Sequence, residues 1–122
     1  MIISDSNLII YAASKKYPAL VDWFEKNKPA ASAISLVEVL GYHKLQGEDK
    51  RALGDFIAEL TIHYPTPEIF QTAVELRQER AMSLGDALIA ATAIYHGLTL
   101  ATHNTKDFER IKSLEVIDPM KG

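Results

Sequence analysis

The chain contains no cysteine. Disulfides, a thiolate nucleophile and cysteine-held zinc or iron–sulfur clusters are therefore excluded. Tryptophan occurs once, at Trp23. No stretch approaches the roughly 18 uninterrupted apolar residues of a membrane span, and no basic segment precedes the apolar start at Ile2. Without an export signal, and without cysteine, a cytoplasmic protein with no membrane partner is expected. No Gly-x-Ser-x-Gly elbow and no glycine-rich phosphate loop occurs, so serine-hydrolase and nucleotide-binding readings have no motif. Excess positive charge is missing too: 13 Lys and Arg face 16 Asp and Glu, a net charge of −3. Proteins that grip nucleic acid mainly by charge are usually basic. Such a partner would here need local patches or bound metal ions. Lys15–Lys16, Lys26 with Lys28, Lys50–Arg51, Arg77 with Arg80, and Lys106 with Arg110 are the candidate patches, and solvated helix faces are their plainer explanation.

What is present fits one globular domain over residues 1–122, since 48% of residues are apolar and 24% charged, enough for a sizeable core. Short apolar runs separated by helical patterns make up the chain. Residues 1–4 read as a buried strand, and Asp5-Ser6-Asn7 as a helix start before residues 8–13. Residues 20–26 read as a second helix and 30–34 as a small strand. A helix opens at Ser35 and runs to about Gln46, with Gly47 ending it, and another fills residues 48–60. Residues 61–64 form a strand, 68–81 a long amphipathic helix, and a further helix stops at Gly97. Strands at 98–102 and 114–117 flank a short helix at 105–111. Strands alternating with helices predict an α/β fold with a central, mainly parallel sheet covered on both faces.

In such sheets ligands bind beyond the carboxyl ends of the strands. Asp5 ends the first strand, Glu38 sits in the first turn after the second, and Asn104 with Asp107 follows the strand at 98–102. Asp86 opens its helix inside Met-Ser-Leu-Gly-Asp-Ala-Leu-Ile-Ala-Ala-Thr-Ala (82–93), sharing a face with Ile89, Ala90 and Ala93. A buried carboxylate without a partner is costly, and it neutralises or finds a cation. Helix capping competes as an explanation: Ser35-x-x-Glu38 matches a capping box, Ser83-x-x-Asp86 is a shorter version of it, Asp5 or Ser6 suits a plain N-cap, and Asn104 a second one. Three acids and an amide, with no paired histidines among His43, His63, His96 and His103, suit Mg2+ or Mn2+ better than zinc.

Four segments together resemble the PIN domain, and in particular the VapC-type toxins of type II toxin–antitoxin systems. They are Ile2-Ile-Ser-Asp5-Ser-Asn7-Leu-Ile-Ile-Tyr11, Ser32-Ala-Ile-Ser35-Leu-Val-Glu38-Val-Leu-Gly41, Ser83-Leu-Gly-Asp86-Ala-Leu-Ile-Ala-Ala-Thr-Ala93 and Leu100-Ala-Thr102-His-Asn104-Thr-Lys-Asp107-Phe108. They stand in the family's order and run nearly end to end. Ser6 stands where the family usually has Thr, and Asn104 where many relatives carry a fourth acid. The resemblance implies a three-layer α/β/α fold and a metal-dependent endoribonuclease. It also implies an RNA substrate, a homodimer and inhibition by a cognate antitoxin. Asp5, Glu38, Asp86 and Asn104 would be its catalytic residues, the three acids holding Mg2+ or Mn2+. Ser6, Asn7, Thr102 and Asp107 would orient them. The alternative is a PIN fold that binds RNA or protein without cleaving, for which Asn104 is the motive. The apolar helix carrying Leu20, Val21, Trp23 and Phe24 leaves room for a partner groove.

Overall fold

Alternate residues of an extended strand face opposite ways, and the three residues of β1 (Ile2–Ser4) use this to seed two cores. Ile3 belongs to a cluster under α5 (Pro67–Glu79) and α6 (Leu84–His96), with Ile69, Leu88, Leu100 and Phe108. Ile2 borders a second cluster on the other face. That face is covered by α1 (Ser6–Ala13), α2 (Pro18–Asn27), α3 (Ala33–Leu40) and α4 (Gly47–Ala58), through Leu8, Ile9, Phe24, Val39 and Ile57. The computed structural model describes residues 1–121. Its remaining elements are β2 (Ala30–Ser32), β3 (Thr61–His63), β4 (Thr99–Ala101), a single 3-10 turn (Thr105–Asp107) and β5 (Val116–Ile117). The strands form one five-stranded sheet in the order β3-β2-β1-β4-β5, every described pairing parallel. The result is the expected three-layer α/β/α arrangement. No helix among the described residues is long and apolar enough to cross a membrane.

The chain starts at the sheet centre, adds β2 and β3 to one side, then returns to lay β4 against β1. Between β1 and β4 the direction of winding reverses, so their carboxyl ends open a crevice. The register Ser4↔Ala101 sets Asp5 beside Thr102 there. The small residues Ala87, Ala90, Ala91 and Ala93 are all buried in α6, which lets that helix lie close to the sheet.

Three local expectations need correction. The helix expected from Ser35 to about Gln46 starts two residues earlier and stops at Leu40. Gly47, expected to end it, instead begins α4, with the positive φ of 59° that glycine adopts without strain. The expected helix at 105–111 is only the 3-10 turn, because Phe108 and Ile111 are both drawn into the core and bend the chain inward.

Candidate active site

Asp5 is the buried acid of the cluster, 7% exposed. It caps α1: Oδ1 accepts from the Leu8 backbone N–H at 3.0 Å, while Oδ2 accepts from the Thr102 hydroxyl at 2.5 Å. The Thr102 hydroxyl in turn accepts from the Asn104 backbone N–H at 3.0 Å, so one side chain ties the end of β4 to the end of β1. Burial pushes the Asp5 carboxyl above the usual carboxylate range, against the pull of these two hydrogen bonds. Negative charge on Glu38 and Asp118 pushes the same way.

Glu38 lies in the last turn of α3, not in the first turn after β2 as expected, and it does not cap its own helix. The N-cap of α3 is Ser32, whose Oγ accepts from the Ile34 N–H at 3.2 Å, and this displaces the expected Ser35-x-x-Glu38 capping box. Ser35 lies inside the helix, buried against Ser6 at 2.8 Å between the two hydroxyl oxygens. Ser6 donates to Glu38 Oε1 at 2.6 Å, which aims the exposed carboxylate across the crevice toward α6. There it meets Gly85. A Cβ on Gly85 would lie 2.2 Å from Glu38 Oε2, so any side chain there would make the Glu38 carboxylate swing aside. Glycine in a helix costs about 1 kcal/mol relative to alanine, and here it leaves room for the close approach of Glu38.

Asp86 stands one residue on, in the first turn of α6, half-buried rather than buried. Ser83 caps that turn, its Oγ accepting from the Asp86 N–H at 3.1 Å. Partial burial raises the Asp86 carboxyl, and Asp107 is the next cause, ahead of Asp5 and Glu38; Ser83 opposes them. Asp107 is thus the charged neighbour that acts most strongly on Asp86. Asn104 turns its amide to Asp107 Oδ2 and does not cap the 3-10 turn with its side chain. Asn7 is exposed in the first turn of α1, outside the network that joins Asp5, Ser6 and Thr102.

The sequence reading missed Asp118. It follows β5 directly, with a side chain 7% exposed that accepts from His103 Nδ1 at 2.9 Å and from the Met120 N–H. The signal was available, since an acid immediately past a strand end is what marked Asp5.

Asp5, Glu38, Asp86 and Asp107 thus come from four separate segments and act electrostatically on one another. Among the described residues no three or more Asp, Glu or His side chains are arranged to hold a metal ion by themselves. Mg2+ rarely asks for that, since it keeps several waters and binds through one or two carboxylates plus substrate phosphate. An open group of hard oxygen donors, with glycine clearing the way for one of them, fits such a hydrated cation.

The PIN domain family model matches residues 2–114. Ribonuclease VapC1 of Rickettsia felis is 33% identical, over 95% of this chain and 94% of that protein. The tRNA(fMet)-specific endonuclease VapC of Shigella flexneri is 28% identical, over 93% and 94%. A solved toxin–antitoxin complex from Klebsiella pneumoniae contains a chain that superposes with a TM-score of 0.81 at 30% identity, covering 100% of both chains. Family model, relatives and backbone agree over nearly the whole length, and the chain belongs to the PIN-domain family.

Proposed function

We propose that this chain is the toxin ribonuclease of a toxin–antitoxin pair, an endonuclease that hydrolyses RNA phosphodiesters with Mg2+ or Mn2+ as cofactor. The observation that carries the reading is Glu38 lodged against Gly85, which sets three carboxylates from distant segments around one crevice where they repel one another. Asp5, Glu38 and Asp86 are the residues assigned to hold the cation. When bound, it offsets their repulsion and polarises the phosphodiester and the attacking water.

Glu38 takes the proton of the attacking water. The water oxygen bonds to phosphorus as the bond to the departing ribose oxygen breaks, and that oxygen draws its proton from solvent. Ser6 fixes Glu38 for this task and Thr102 fixes Asp5. Asn104 steadies Asp107, which supplies the fourth negative charge that Asn104 itself lacks.

The Klebsiella relative is described as part of a toxin–antitoxin complex, which supports an antitoxin partner here. Val21, Phe24, Phe56 and Leu60 line an apolar groove between α2 and α4 that suits an antitoxin helix. Phe70 and Val74, exposed one turn apart on α5, are apolar surface for a homodimer. A cytoplasmic location follows from an RNA target.

The decisive experiment is cleavage of a labelled RNA pool by antitoxin-free protein in Mg2+, Mn2+ or chelator, beside Asp86→Asn. Cleavage is expected in metal only, falling about 10²–10⁴-fold in the variant. RNA binding without cleavage or metal dependence would instead make the chain a binding module.

A further inference from the structure

The acid cluster leaves one electrostatic question open. With net charge −3 and a crevice full of carboxylates, the chain needs a foothold for a polyanion. Arg80 and Arg110 belong to different candidate patches, 30 residues apart in sequence, and the fold brings them to one pocket. This pocket of about 530 Å³ lies between α5, the end of α6 and residues 110–113, with Lys112 as its third cation. Glu75 and Glu79 also line it, leaving the cations one charge in excess.

Arg80 is the side chain with an unmet need. It is 21% exposed, and its Nη2 donates to Glu79 Oε1 at 3.0 Å. Its Nη1 is buried without a partner among the described residues. The Glu79 pair joins sequence neighbours, and Glu79 is 63% exposed, so it is a weak pair readily exchanged. A phosphate in the pocket competes with Glu79 for Nη2, because charge-assisted hydrogen bonds from a guanidinium to phosphate are strong.

Two of its cations are close to the acids along the chain. Arg110 follows Asp107 by three residues, so their Cα atoms are at most about 11 Å apart. Arg80 precedes Asp86 by six residues, at most about 21 Å. A strand held at the acids is therefore within reach of these cations through another of its phosphates.

We propose that the pocket of Arg80, Arg110 and Lys112 binds a phosphate of the RNA strand flanking the one that is cleaved, supplying affinity that the acid cluster cannot. The site rests on the ribonuclease reading, and its test separates the two. Arg110 and Lys112 are exposed, so Arg110→Gln with Lys112→Gln leaves the core untouched. Arg80→Gln is the companion variant, checked for its melting temperature.

Two readouts apply to the whole chain: kcat and KM for a labelled single-stranded RNA in Mg2+, and anisotropy of that RNA at several salt concentrations in chelator, where no turnover occurs. In the double variant KM and Kd are expected to rise about tenfold at low salt, with kcat within about twofold. The slope of log Kd against log salt should flatten by about 0.7 per lost phosphate contact. If the unchanged chain cleaves RNA and the double variant matches it in KM, Kd and slope, the pocket is not a phosphate site and the ribonuclease reading stands. If the unchanged chain binds RNA without cleaving and the double variant loses binding, the pocket stands and the ribonuclease reading falls. A chain that neither binds nor cleaves RNA overturns both.

Discussion

Gly85 is the residue on which the geometry of the acids turns. Alanine there is a better helix former by about 1 kcal/mol, so α6 itself loses nothing by the change. The added Cβ would lie 2.2 Å from Glu38 Oε2, and the carboxylate must move aside. A displacement of about 1 Å at a reacting group can cost roughly 10²-fold in rate. Gly85→Ala is therefore expected to retain or raise its urea midpoint while RNA cleavage falls about 10²-fold. Full activity in a stable variant would show that Glu38 need not stand at that spot. The sequence offered Gly85 only as a letter of the third motif. Its reason for being glycine is a contact with a residue 47 positions away, which no local pattern records.

Elements are joined outside the crevice as well. His63 at the end of β3 and His96 in the last turn of α6 stack with ring centroids 4.1 Å apart, so the two hold an edge strand to the innermost helix. Burial is the first cause that lowers the His63 pKa, and the neighbouring charge of His96 the second. A histidine depressed in the folded state binds its proton later than in the unfolded chain, so folding stability falls as pH drops below about 6.5. It levels off once His63 is protonated in both states. The melting temperature is thus expected to fall from pH 7 toward that range, and His63→Gln to flatten the decline. An equal decline in the variant would assign the effect to other groups. Both histidines read from the sequence as surface or packing residues, without any sign that they would meet.

At the scale of the molecule, the acid cluster works against folding, and a cation bound there would offset this. Asp5 and Asp86 have pKa values raised above 3.8. Between that value and their folded pKa values the native state binds more protons, so their contribution to stability declines as pH rises through that window. A divalent cation favours the ionised forms. The melting temperature gained on adding Mg2+, and lost again in chelator, should grow as pH rises through the same window and shrink in Asp5→Asn. A gain independent of pH and of Asp5 would place the cation elsewhere.

The sequence by itself determined the alternation of strands and helices, the parallel sheet, and Asp5 and Asp86 at helix starts, while Glu38 proved to lie near the end of its helix. These follow from periodicities of about 2 and 3.6 residues and from capping chemistry, both local properties of the chain. It also carried the motif order by which the PIN family is recognised. The tertiary structure alone decided which groups share a space. The return of β4 to β1 is what brings Thr102 to Asp5, 97 positions away. The same winding turns Asp107 toward Asp86, Asp118 toward Asp5 and Arg110 toward Arg80. Strand order and register are set by the burial of both sheet faces at once, a property of the packed molecule that no single segment contains.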